Sequence, residues 1–427
     1  MNDVIRVNAV ESLRGSLHVP GDKSGSHRAL MLSALAIGES TIEGLSAGRD
    51  VAATGRIIEQ LGARRSVHGS LTSVVGPEEG LRASKEPLDC GNSGTTMRLL
   101  AGLVSALPGR HILVGDESLS TRPMDRIATP LELMGSSVTG HGLRVMAPLQ
   151  ILGTRPLNAI SYHVPMASAQ VKSAILLAGL GAAGPTSVHE DVRTRSTTED
   201  MLQRSGADIV SKDEGVGRRV TMRPGRPNPQ SWSVPGDPSQ AAFFAVLGCI
   251  HPDADIEIVD IDASEERCGF LRVLQRMGAD LTVRASGATT SFVARSSTLL
   301  AVEISADEIP SVDEVPALTV AAAAASGTSA FRHMGELRLK ESDRFEGALV
   351  LATSLGCRAW ADGDDFFVEG LGSAERFSEF TIHAQLDHRM VMASAVAAIA
   401  GAGCTIDGAQ TVASSYPLFF EDVSSLQ

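Results

Sequence analysis

Val19-Pro20-Gly21-Asp22-Lys23-Ser24-Gly25-Ser26-His27-Arg28 is a stretch that the chain partly repeats, as Val234-Pro235-Gly236-Asp237-Pro238-Ser239. Each copy sets a Pro-Gly turn before an apolar segment, 29–36 in the first case and 241–250 in the second. Each therefore reads as a turn opening a buried helix. The duplication, about halfway along 427 residues, predicts two similar halves joined by two crossings. The first copy is also rich in groups that bind oxyanions: Lys23, Ser24, Ser26, His27 and Arg28. With the helix taken to begin near residue 26, His27 and Arg28 fall in its first turn. A helix N-terminus carries partial positive charge, so cations there are favourable only with an anion among them.

A second repeat decides the class. Leu61-Gly62-Ala63, Met134-Gly135-Ser136, Ser205-Gly206-Ala207, Met277-Gly278-Ala279 and Leu355-Gly356-Cys357 each follow an amphipathic segment and precede polar–apolar alternation. That predicts a helix stopped by a left-handed glycine and followed by a strand. Between them lie Ala/Leu-rich helices, each with a short turn and a strand, near 29–42, 96–114, 171–188, 241–258, 317–331 and 390–406. The turn carries Gly38, Gly109, Gly184, Gly327 or Gly403, and Pro252-Asp253 in the fourth. The chain is thus six units of roughly seventy residues, mixed α and β, three to each half.

Composition narrows the function. A net charge of −13 excludes the basic footprint of a nucleic-acid binder, so an anionic ligand must be drawn by a local cationic site. The five cysteines are scattered and form no CxxC pair, which favours reduced thiols in a cytoplasm over disulfides or zinc. Met1-Asn2-Asp3-Val4 shows no signal-peptide n-region, and no apolar run is long enough to span a membrane.

Cations recur at other helix starts. Gly91-Asn92-Ser93-Gly94-Thr95-Thr96-Met97-Arg98 is a loop whose backbone N–H groups and Gly94 leave room for a ligand. Ser168-Ala169-Gln170-Val171-Lys172 opens the third helix with a hydroxyl, an amide and an ammonium. Asp387 is an N-cap candidate ahead of His388 and Arg389. Arg122 precedes a proline on a loop, and 336–344 is the densest charge run. Read as a helix, that run puts Lys340 and Arg344 on one face, with Glu341–Arg344 and Arg338–Glu341 pairs.

Seven motifs in order, at 20–28, 91–98, 115–124, 168–172, Asp313-Glu314-Val315-Pro316, 337–344 and Asp387-His388-Arg389, resemble the 5-enolpyruvylshikimate-3-phosphate synthase family over nearly the whole chain. The resemblance implies a two-domain inverse α/β barrel, each domain three βαβαββ units around a pseudo-threefold axis. It puts residues 1–20 and 236–427 in the first domain and 21–235 in the second, with helix N-termini facing an interdomain cleft. It implies a reaction that moves the enolpyruvyl group of phosphoenolpyruvate to the 5-hydroxyl of shikimate 3-phosphate through a tetrahedral intermediate. By the same resemblance Lys23, Ser24, Arg28, Ser168, Ala169, Gln170, Thr194, Asp313 and Lys340 hold shikimate 3-phosphate. Lys23, Asn92, Gly94, Arg122, Gln170, Arg344, His388 and Arg389 hold phosphoenolpyruvate. Asp313, Glu341 and Lys23 are the catalytic groups. A cytoplasmic monomer acting on small anionic substrates, with no metal, organic cofactor, nucleic acid or membrane partner, is expected.

Departures from the family pattern are specific. Gly25 stands where a bulky aliphatic is usual, and Ser196 and Thr197 replace an Asp-His pair, although Thr194 keeps a hydroxyl for the substrate phosphate. Ser414-Ser415 offers no C-terminal cleft lysine. The related transferase acting on UDP-N-acetylglucosamine typically carries a loop cysteine, and 115–124 has none. A silent anion-binding paralogue, or an enzyme for another cyclic acceptor, is the remaining alternative.

Overall fold

A computed structural model describes residues 4–427. Residues 1–3, including most of the stretch read for a signal peptide and the start of the expected first domain, lie outside it. Thirteen α-helices occur among the described residues: α1 (Lys23–Leu35), α2 (Arg49–Gln60), α3 (Gly94–Ser105), α4 (Glu117–Ser120), α5 (Asp125–Leu133), α6 (Ala169–Gly179), α7 (Thr197–Arg204), α8 (Pro238–Ile250), α9 (Gly269–Arg276), α10 (Val315–Ala324), α11 (Arg344–Ser354), α12 (His388–Ala400) and α13 (Phe419–Ser424). The contacts divide the chain into Met1–Asp22 with Pro235–Gln427, and Lys23–Val234.

In each unit three helices buried on nearly every side lie in the centre, and sheets and amphipathic helices surround them. In Lys23–Val234 the inner helices are α1, α3 and α6, and in the other unit α8, α10 and α12. Each unit has one hydrophobic core. Alanine-rich helices can approach closely, and α3 and α6 do so at Gly102, where a Cβ would lie 2.1 Å from the Ala174 carbonyl oxygen.

The six repeats appear as six sheets, five four-stranded and one three-stranded. In one, Ser161–His163 runs parallel to Thr186–Glu190, and the antiparallel strands Gly217–Met222 and Ile209–Glu214 complete it. The other four-stranded sheets repeat this order. Gly62, Gly135, Gly206, Gly278 and Gly356 have φ between 76° and 109°, as the left-handed stop requires. Gly38, Gly109, Gly327 and Gly403 also have positive φ, whereas Gly184 does not. The duplicated stretches lie antiparallel: Gly21 bridges Gly236, the Asp22 N–H donates to the Pro235 carbonyl at 2.7 Å, and the Asp237 N–H to that of Pro20 at 2.9 Å.

Three local readings are corrected. Helix α1 begins at Lys23, so Lys23 and Ser24 occupy its first turn and His27 and Arg28 its second. Its first two turns are polar and gave no apolar period to mark the start. Residues 336–344 are not one helix: Gly335–Leu339 is a 3-10 turn and α11 starts only at Arg344. Asp343 caps α11 through the Glu346 N–H and pairs with Arg338, which lies over the Phe345 ring rather than beside Glu341. Lys172, read as a cation for an anionic ligand, is fully buried between Glu190 at 2.8 Å and Glu199 at 2.6 Å. Burial raises the Glu199 pKa against the opposing pull of Lys172.

Gly102→Ala should destabilise the protein by roughly 1–3 kcal/mol, because backbone on the neighbouring helix blocks the methyl group. Gly225→Ala meets nothing within 4 Å and has no left-handed φ. It should be neutral or stabilising by up to about 1 kcal/mol. Urea unfolding midpoints of the two variants check the contrast.

Candidate active site

In Lys23–Val234 the expected ligands gather at the start of the inner helices. Lys23, the first residue of α1, pairs with Asp50 of α2 at 3.2 Å. Gly94 is the first residue of α3, behind Ser93, whose hydroxyl accepts the Thr96 N–H. A Cβ on Gly94 would lie 3.0 Å from Arg98 Nη1 and 3.2 Å from Arg122 Nη1, so this helix start faces two guanidinium groups. Arg122 donates to Asn92 Oδ1 at 2.8 Å and to the Ser118 hydroxyl at 3.1 Å, and Asn92 donates to Asp116 at 2.7 Å. The Gln170 amide is held at both ends, accepting from Arg98 at 2.7 Å and donating to the Thr95 hydroxyl at 3.0 Å. Ser168 caps α6 through the Val171 N–H.

Other expected ligands are tied into the protein. Arg28 is buried and donates to Thr198 at 2.6 Å, to Ser173 at 2.9 Å and to the Ser24 carbonyl at 2.8 Å. The Ala169 carbonyl accepts from Ser173. The Thr194 hydroxyl donates to Glu190, so its proton is committed to a carboxylate in this structure. Ser196 donates to Asp200 at 2.6 Å.

In the other unit Arg344, the first residue of α11, is only 1% exposed and meets three carboxylates. Its partners are Asp313 at 2.8 Å, Glu341 at 2.6 Å and Asp387 at 2.8 Å. Burial opposes its charge, but Asp387, Glu341 and Asp313 outweigh that and keep it protonated. Asp387 also caps α12 by accepting the Arg389 N–H at 2.9 Å. Arg389 reaches Asp313 at 3.5 Å and the Ser239 carbonyl at 3.3 Å. Lys340 donates to the Ser311 carbonyl at 3.2 Å and to Glu336 at 2.7 Å, while His388 Nδ1 lies 3.3 Å from the Ser414 hydroxyl. Asp313 and Glu341, each 20% exposed, therefore share one guanidinium. Burial would raise the Asp313 pKa, but Arg389, Lys340 and Arg344 hold it well below the usual carboxylate range.

The backbone leading to these groups is strained. Val312, before Asp313, has φ 49°, and Gln385 and Leu386, before Asp387, have φ 50° and 58°. Left-handed backbone at a β-branched residue is rare. Such strain costs of order 1–3 kcal/mol and concentrates at functional sites. Sequence reasoning named Thr95 and Arg98 only as members of the 91–98 motif, without their partner Gln170, and missed Asp50 and the Arg344-binding role of Asp387. All but Asp50 stood in a quoted motif, but each is distant in sequence from what it holds.

Among the described residues no group of three or more His, Cys, Asp or Glu could hold a metal ion. The five thiols are free and buried, which raises their pKa, to about 12 for Cys249, Cys268 and Cys404. No helix of the described residues is long and apolar enough to cross a membrane.

This architecture is that of the enolpyruvyl transferases. The chain matches the fold of the enolpyruvyl transferase NikO from Streptomyces tendae with a TM-score of 0.79 at 20% identity, over 100% of this chain and 98% of that one. Within that class it belongs to the EPSP synthase (3-phosphoshikimate 1-carboxyvinyltransferase) family, whose model matches residues 7–423. It is 38% identical to a 3-phosphoshikimate 1-carboxyvinyltransferase of Streptococcus equi subsp. zooepidemicus, over 97% of this chain and 98% of that protein. It is 41% identical to that of Sphingopyxis alaskensis, over 97% and 96%. EPSP synthase from Acinetobacter baumannii superposes with a TM-score of 0.85 at 37% identity, over 100% of this chain and 98% of that one.

The depressed pKa of Asp313 sets a sign for stability against pH. A carboxyl with a lower pKa folded than unfolded adds stability above its unfolded pKa and loses it as pH falls through the folded one. Unfolding free energy should therefore fall below about pH 5, near the ordinary carboxylate range. Asp313→Asn should make that decline shallower, as measured by urea unfolding at a series of pH values.

Proposed function

We propose that this chain transfers the enolpyruvyl group of phosphoenolpyruvate to the 5-hydroxyl of shikimate 3-phosphate and releases phosphate. The observation that carries this reading is one guanidinium, Arg344, holding Asp313 and Glu341 together beside Arg389 and Lys340. Both substrates are polyanions, and the chemistry needs a proton acceptor and a proton donor among cations.

The Asp313 carboxylate stays ionised and takes the proton of the 5-hydroxyl as that oxygen bonds to C2 of phosphoenolpyruvate. The C3 methylene takes a proton and becomes a methyl group. Glu341, as its acid, gives that proton, and Lys23 assists. In the second half-reaction phosphate leaves C2 and a methyl proton returns to the enzyme, restoring the double bond. Arg122, Gly94, Asn92, Gln170, Arg344, His388 and Arg389 bind phosphoenolpyruvate. Lys23 serves both substrates; Ser24, Arg28, Ser168, Ala169, Gln170, Thr194 and Lys340, with Asp313, receive shikimate 3-phosphate. Arg28, Thr194 and Arg344 exchange internal partners for substrate oxygens in doing so. We place the enzyme in the cytoplasm as a monomer with residues 1–20 and 236–427 as one domain and 21–235 as the other.

The test is phosphate release from phosphoenolpyruvate with shikimate 3-phosphate, UDP-N-acetylglucosamine or shikimate as acceptor. Turnover with shikimate 3-phosphate alone is expected, and turnover with either of the others instead would replace this reading. Asp313→Asn and Glu341→Gln should each lower kcat by about 10²–10⁴-fold with KM little changed, since proton transfer typically contributes that much. Gly94→Ala should raise KM for phosphoenolpyruvate and leave that for shikimate 3-phosphate nearly unaltered. Equal losses for both substrates would point to disruption of the loop.

A further inference from the structure

Glu314 follows Asp313 directly, and its side chain is buried. Its two carboxylate oxygens accept from different parts of the fold. The Ser311 hydroxyl, on the same turn, donates to Oε2 at 2.5 Å. The Ser239 hydroxyl, in the first turn of α8, donates to Oε1. Ser239 also accepts from Arg267 at 3.2 Å, and Arg267 is itself fixed by Asp22 at 2.5 Å and Asp237 at 2.8 Å. The brace thus runs from the duplicated Pro-Gly-Asp stretches to the turn that carries Asp313.

Three groups of the site depend on that turn. Asp313 follows Val312, whose left-handed φ of 49° persists only if its neighbours enforce it. Lys340 is docked on the Ser311 carbonyl and Arg389 on the Ser239 carbonyl, so the two residues that grip Glu314 also anchor two cations beside Asp313. A buried carboxylate with both oxygens satisfied is stiff, since moving it would leave a charged group unpaired.

We infer that Glu314 is a positioning residue: clamped between Ser239 and Ser311, it holds the strained 311–313 turn so that Asp313, Lys340 and Arg389 keep their alignment. The inference rests on the proposed role of Asp313. Glu314 is buried with its oxygens held by Ser239 and Ser311, so its effect passes through Asp313. A misplacement on the scale of 1 Å can cost about 10²-fold in rate, so the effect should appear in kcat.

The experiment compares Glu314→Ala, Glu314→Gln and Ser311→Ala with the parent and with Asp313→Asn, using steady-state kinetics on folded, monodisperse protein. Glu314→Ala should lower kcat by about tenfold to a hundredfold, more than it raises either KM. Ser311→Ala, which removes one link and leaves the carboxylate in place, should fall in the same direction by less, and it serves where Glu314→Ala does not fold. Glu314→Gln keeps the shape and a two-point contact and should restore most of kcat. Unchanged kcat in Glu314→Ala, or in Ser311→Ala where that variant stands in, would overturn the inference, as would a loss confined to KM or a Gln variant no better than Ala. If Asp313→Asn is inactive while the Glu314 and Ser311 variants turn over normally, the positioning role alone fails. If Asp313→Asn retains full turnover, the acid–base reading fails and the positioning role falls with it.

Discussion

The arrangement of the candidate groups within the Pro235–Gln427 unit depends on Arg344. A guanidinium excluded from water must be met by charge, and three carboxylates from three segments meet it: Asp313 before α10, Glu341 before α11 and Asp387 at the cap of α12. Removing one partner of such a buried cluster typically costs about 3–5 kcal/mol, because the remaining charges stay buried. One ionic contact therefore gathers the starts of three helices. It also sets the two carboxylates proposed as base and acid, Asp313 and Glu341, on a single cation.

The Lys23–Val234 unit solves a similar problem with different groups. Buried Lys172 takes Glu190 and Glu199, and Glu190 then holds the Thr194 hydroxyl. Buried Arg28 ties α1 to Ser173 of α6 and Thr198 of α7. His27 joins Thr54, and Thr54 joins Thr96, whose hydroxyl reaches the α3 cap at Ser93. These polar chains run through a core made mostly of alanine, leucine, isoleucine, valine and methionine. Apolar helices packed on their neighbours slide easily, and directional hydrogen bonds between them fix the position of each N-terminus.

Charge at the helix starts also separates two kinds of cation. Arg98 and Arg122 lie against Gly94 and donate to neutral groups, Arg98 to Gln170 and Arg122 to Asn92 and Ser118. Lys172 and Arg267 have strong carboxylate partners on more than one side and are sealed in the core. The first kind suits ligand binding, and the second braces the scaffold.

The sequence alone determined the repeat, the class and the motif positions. Left-handed glycines at Gly62, Gly135, Gly206, Gly278 and Gly356 are local requirements of a helix stop, so their spacing reveals the period without any tertiary contact. Alanine-rich helices declare their burial by lacking a polar face, and Asp387 declares a cap by its place before a helix. Tertiary structure decided which cation serves which purpose. Lys172, read at a helix start, and Arg344, read within a charge run, are both plain cations in the sequence, yet one is enclosed by Glu190 and Glu199 and the other shares Asp313 and Glu341 with the proposed chemistry. The difference lies in carboxylates far away in the chain, and electrostatic energy depends on distance in space rather than on separation in sequence. For the same reason Glu314, which reads as an ordinary residue of a family motif, becomes a brace only when folding brings Ser239 against it.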